Sequence, residues 1–135
     1  MTIGGQAMSN KLSGRAGWQA WQQALSRVQY HGGRVSSYGA LFVTSEYEGS
    51  GQLPYKWDEF LWKAVRKEMV DAIVYSYETP IAFCVDGNWV MPFTKYSRTT
   101  SKHQSLIYQA ADCRRTDSIS EDDDAFFELL DLVFA

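Results

Sequence analysis

The eleven residues "KYSRTTSKHQS", 95 to 105, bring together six hydroxyl side chains, three cations and a histidine. Three kinds of chemistry suit such a set. In the simplest, it is a helix start: Ser101 and Gln104 have the spacing of a capping box, Thr99 and Thr100 offer further caps, and a helix follows from about Ser101 to Ala111. In the second, the unpaired N–H groups of that start, backed by Lys95, Arg98 and Lys102, hold an anion such as a phosphate. In the third, a hydroxyl beside His103 acts as nucleophile with the imidazole as base. That hydrolase needs a carboxylate from Glu78, Asp86 or Asp112 to orient the ring. The capping role is the expected one, ahead of the anion site and of catalysis.

Other chemistries lack their residues. His31 and His103 stand alone, and Cys84 and Cys113 are too far apart for a CxxC pair. The run "EDDD" lacks the alternation of a calcium loop. "GSGQLP" lacks the lysine of a phosphate loop. Neither a metal nor a cofactor is expected, and both cysteines read as free thiols. No stretch of 18 apolar residues exists, and the N-terminus has no apolar secretion core. The expectation is a cytoplasmic protein with no membrane partner.

The elements that must position these residues follow from pattern. With 135 residues, 45% of them hydrophobic, one core is affordable. Residues 1–13 read as a flexible N-terminus, 14–116 as an α+β domain and 117–135 as an acidic amphipathic helix packed on it. Ser13 is a candidate cap for a helix from Arg15 to Tyr30, stopped by Gly32 and Gly33. Leu41 to Thr44 reads as a strand and "EGSGQ" as a mobile loop. Pro54 starts a second helix, whose apolar face Trp57, Phe60, Leu61, Ala64, Val65, Met69 and Ala72 carries it over 55–72. The stretch 73–93 is a hairpin turning at Asp86 and Gly87, with Cys84 opposite Trp89. The fold expected is α+β, a small, mainly antiparallel sheet around this hairpin covered by four helices at 15–30, 55–72, 101–111 and 121–134.

Several of these segments carry a resemblance. "SYGAL" at 37–41, "GQLP" at 51–54, "YSYETPIA" at 75–82, the strand at Trp89 and "KYSRTTSKHQ" at 95–104 together resemble a family of small uncharacterised proteins encoded by phages and other mobile elements. Its pattern is a serine-tyrosine-x-threonine-proline strand followed, a hairpin later, by tyrosine-serine-x-threonine-threonine-serine-lysine-histidine. Tyr77, Thr79, Pro80, Tyr96, Ser97, Thr99, Thr100, Ser101, Lys102 and His103 match it. The resemblance spans roughly 37–111 and implies no known activity.

Charge and aromatic content suggest partners. Residues 1–116 hold 13 bases and nine acids, whereas 117–135 hold seven acids and no base. A basic body meets something anionic, or the tail covers it, or the tail engages a basic partner. Tyr75, Tyr77, Phe83 and Trp89 on a sheet would stack bases while Lys95, Arg98, Arg114 and Arg115 track phosphates. This nucleic-acid module using 95–115 is one alternative. The tail supplies another surface: Glu121, Asp122, Asp123 and Asp124 suit a helix start, and Phe126, Phe127, Leu130 and Phe134 need burial on the domain, on a second copy or on a partner. With the resemblance, the leading expectation is a non-enzymatic phage- or plasmid-type accessory protein that binds and occludes a host protein, the candidate being an inhibitor of a defence system of anti-CRISPR or anti-restriction type.

Overall fold

The computed structural model describes residues 10–37, 40–111, 118, 119, 124, 127, 128, 130 and 131. In chain order the elements are β1 (Lys11–Leu12), α1 (Trp18–His31), β2 (Arg34–Ser37), β3 (Leu41–Thr44), α2 (Tyr55–Arg66), β4 (Val70–Ser76), β5 (Thr79–Val85), β6 (Asn88–Pro92), α3 (Arg98–Ala111) and β7 (Ser118–Ile119). The seven strands lie side by side in that same order. β2 to β6 are antiparallel, and the two-residue strands β1 and β7 add a parallel pair at either edge. The class is α+β as expected; the sheet is mixed and larger than foreseen, and three helices rather than four are delineated among the described residues.

The turn between β5 and β6 forms where the sequence places it. Asp86 and Gly87 have φ of 51° and 81°, the paired positive values that a two-residue hairpin loop requires. Val85 pairs with Asn88 and Cys84 with Trp89.

Strand alternation then sends residues to two cores. Ala72, Val74, Cys84 and Met91 face α1 and α3, meeting Trp21, Leu25, Val28, Ile107 and Ala110. Ile73, Tyr75, Phe83, Val85 and Val90 face α2, meeting Trp57, Phe60, Leu61 and Ala64. Helices therefore cover both faces, and β5 is buried along its whole length. Each fully buried large side chain contributes about 1.5–3 kcal/mol through lost apolar exposure.

Several boundaries differ from expectation for identifiable reasons. α1 begins at Trp18 and not near Arg15, because Ser13 closes a turn of its own: its hydroxyl accepts the Arg15 N–H at 3.1 Å and its carbonyl accepts the Ala16 N–H at 3.0 Å. The N-cap is Gly17, without a side-chain bond. Gly32 ends the helix as foreseen, at φ 75° with its N–H on the Val28 carbonyl. α2 stops at Arg66, six residues short of the expected end, since Glu68 enters the left-handed region at φ 56° and the apolar run beyond it becomes β4. Ala72, assigned by spacing to the helix, is a strand residue in the opposite core. The loop "EGSGQ", expected to be mobile, is tied on several sides: the Tyr75 hydroxyl accepts the Glu48 N–H at 2.7 Å and donates to the Gly49 carbonyl at 2.9 Å, and Ser50 bonds Asp58. Burial pushes the Tyr75 phenol up to about 12, so it stays a neutral donor.

In the acidic tail, Asp124, Phe127, Glu128, Leu130 and Asp131 are helical. Leu130 packs against the α2-side core, and Phe127 is 53% exposed. Glu121, Asp122, Asp123, Phe126 and Phe134 lie outside the described residues, as do Asp112, Cys113, Arg114 and Arg115. Cys84 is a free, buried thiol beside Asp71, and burial pushes it up to about 12. Among the described residues no helix is long and apolar enough to cross a membrane.

Candidate functional site

The segments that carry the resemblance, far apart in the chain, converge on the turn between β4 and β5. Tyr77 donates its N–H to the Ala40 carbonyl at 2.8 Å, which joins "SYGAL" to "YSYETP". Gln52 donates its N–H to Thr79 Oγ1 at 2.9 Å. Gly51, at φ 49°, lies so close to the backbone of Glu78 that an added Cβ would fall 2.3 Å from that carbonyl oxygen, which is why "GQLP" begins with glycine. From the other side, Ser76 Oγ meets His103 Nδ1 at 2.7 Å and Thr100 Oγ1 at 3.1 Å. The turn is thus held by three separate segments.

The start of α3 differs from the expected capping box. The helix begins at Arg98, and Ser97 caps it by accepting the Thr100 N–H on Oγ at 3.2 Å and the Ser101 N–H on its carbonyl at 2.9 Å. Ser101 is consequently inside the first turn and half-buried. Gln104, released from the box, donates from Nε2 to the Thr94 carbonyl at 3.0 Å. Tyr96, between them, has its phenol pushed up by burial.

The hydroxyl-rich segment divides by direction. Thr100 is 5% exposed, and its hydroxyl oxygen accepts from Ser76 and Ser97, so it is turned away from solvent. His103 is half-buried, loss of solvent lowers its pKa from the ordinary 6.5, and its Nδ1 is engaged with Ser76. Lys95, Arg98, Thr99 and Lys102 are exposed. Ser101 and Lys95, with Met91, Phe93, Gln104 and Tyr108, line an open cleft of about 430 Å³ between the end of β6 and α3.

A serine and a histidine at 2.7 Å have the geometry of a nucleophile and its base, but Ser76 is 1% exposed. Its hydroxyl is shut away from substrate. Asp86 sits at the opposite end of the β4–β5 pair, since Ser76 pairs with Thr79 and Val70 with Val85. Among the described residues no carboxylate pairs with His103, and no three His, Cys, Asp or Glu side chains assemble as a metal site.

The expected stacking platform is corrected by burial. Tyr75 is 1% exposed and Phe83 0%, because α2 lies over that face; Trp89 is half-buried and donates from Nε1 to Gln29 at 3.1 Å. Tyr77 alone of the four is open, at 54%.

Phe93 is not singled out by the sequence, and Tyr77, named there as a stacking and motif residue, is set apart by its backbone. Tyr77 has φ 57°, a conformation costly for a bulky residue, and its ring centroid lies 6.3 Å from that of His103. Phe93 is 67% exposed just beyond β6, at the same end of the sheet. No sequence signal marks a positive φ at tyrosine.

Comparison with known proteins gives one match. No curated protein and no solved structure matches the chain. A family model described as a family of unknown function, DUF8033, matches residues 28–124 and so takes in every converging segment. The chain belongs to that family of unknown function.

Proposed function

We propose that the protein is a non-enzymatic binding protein of phage or plasmid type that occludes a host protein, with Tyr77 as the centre of its contact surface. The observation that carries this reading is the state of Tyr77: 54% exposed, held at φ 57°, and anchored through its neighbours Ser76 and Thr79 to α3 and to the 51–54 segment. Exposed tyrosines on a rigid backbone make strong contact anchors, because little conformational freedom remains to be lost on binding. Phe93 extends the apolar area on the other side of the α3 start, and Lys95 gives it a charged rim. The burial of Ser76 favours this reading over hydrolysis, since the hydroxyl that meets His103 is not open to substrate. A host defence complex of the anti-CRISPR or anti-restriction kind is the partner that the mobile-element resemblance suggests.

Affinity capture from nuclease-treated bacterial lysate tests this. The expected result is a protein partner retained by the native chain and lost with Tyr77→Asn, a substitution that tolerates the left-handed backbone. Capture of the same partner by both chains would reject Tyr77 as the centre, and capture abolished by nuclease would reject a protein partner.

A further inference from the structure

The helices on the two faces of the sheet differ in their carboxylates. α1 and α3, packed together on one face, contain no carboxylate and carry Arg27, Arg98 and Lys102. α2 on the other face carries Asp58 and Glu59 among its cations. No acid precedes Glu46 in the chain, whereas Lys11, Arg15 and Arg27 do, as does Arg34, which stacks on Phe42 on the α2 side and pairs with Glu48. The described acids of the tail, Asp124, Glu128 and Asp131, flank Leu130, which packs on the α2 side.

Helix stability does not account for this. Acids in a first turn complement the dipole by about 0.3–1 kcal/mol each. Neither α1 nor α3 has one there, and α3 opens with Arg98, a cation placed against the dipole. Both helices also show the same outward pattern at spacings of four, three and four. On α1 the stripe is Gln19, Gln23, Ser26 and Tyr30; on α3 it is Arg98, Lys102, Ser105 and Gln109, all exposed. Cations, amides and hydroxyls are the side chains that contact phosphate and sugar oxygens.

We infer that the outer face of α1 and α3 binds the phosphate backbone of duplex DNA, independently of any protein contact at Tyr77. A duplex fits better than a single strand, because Tyr75 and Phe83 are buried and the two stripes themselves carry one aromatic, Tyr30, too few to stack successive bases. It fits better than an acidic protein groove, because these stripes contain one aromatic, Tyr30, and no aliphatic anchor. Helices of 14 residues are about 21 Å long, enough to follow roughly six base pairs.

Fluorescence anisotropy with a labelled DNA duplex of two helical turns, titrated with the full-length chain at rising salt, tests the inference. Binding is expected at low salt, weakening as salt rises. The pair Arg98→Glu with Lys102→Glu should weaken it at least ~10-fold and flatten the logarithmic salt slope by about 2. Gln23→Glu with Ser26→Glu should also weaken it, and Lys56→Glu with Lys63→Glu on α2 should leave it within about twofold, as non-contacting surface charges do. Circular dichroism verifies that each variant folds. The inference is overturned by absence of binding at low salt, by equal loss from the α2 pair, by a single strand binding more tightly than the duplex, or by polyglutamate displacing the duplex as well as unlabelled DNA does. An α1 pair without effect would overturn the two-helix face.

Discussion

Ser76 Oγ and His103 Nδ1 stand 2.7 Å apart, joining the last residue of β4 to the second turn of α3. Burial lowers the folded pKa of this imidazole from its ordinary 6.5. A histidine with a lowered folded pKa contributes stability above its unfolded pKa and loses it as pH falls through that value towards the folded one. Unfolding midpoints in urea should therefore fall between pH 7.5 and pH 5, and His103→Gln should make this fall shallower. Equal pH dependence in both chains would show that the ring is not held neutral.

Removing the other partner tests the same joint at constant pH. Ser76→Ala leaves Thr100 and His103 without their shared hydroxyl at a buried position. The expected loss is about 1–3 kcal/mol by chemical denaturation. A loss within error would mean that the bond adds nothing to the placement of α3.

The approach of Gly51 to Glu78 makes a sharper prediction. Gly51→Ala combines φ 49° with a Cβ 2.3 Å from a backbone oxygen, while Gly49→Ala at φ 103° meets nothing within 4 Å. Left-handed strain alone costs on the order of 1–3 kcal/mol, so Gly49→Ala should fall in that range and Gly51→Ala should exceed it. Equal thermal shifts for the two variants would contradict the packing of the 51–54 segment under the turn.

How far the sequence shows all this varies by residue. Asp86-Gly87 marks its hairpin because the turn needs two positive φ values and few residue pairs supply them. The end of α2 is not legible, since Met69 and Ala72 continue the helical period and only the backbone of Glu68 breaks it. On paper Ser101, with Gln104 three residues on, is the better cap than Ser97, which has Thr100 there; the fold nevertheless caps α3 with Ser97. Tyr75 and Phe83 look the same whether one sheet face is covered or two. The strands β1 and β7, two residues each, are too short for any periodic signal. For the site, the resemblance marks the right segments, but only the sheet register shows that they meet around Tyr77.

The strain at Tyr77 separates binding from stability. Tyr77→Asn removes an exposed ring and places a residue that accepts φ 57°. Stability should stay within about 0.5 kcal/mol or rise, as for a surface change that relieves strain. A marked loss would instead make the ring a structural element of the α3 contact.

The most direct measurement takes the partner captured by the native chain and compares its affinity for native and Tyr77→Asn proteins by surface plasmon resonance. The account predicts that Tyr77→Asn weakens the complex at least ~10-fold, as loss of a central aromatic anchor does. Affinity unchanged in a folded Tyr77→Asn protein would contradict it.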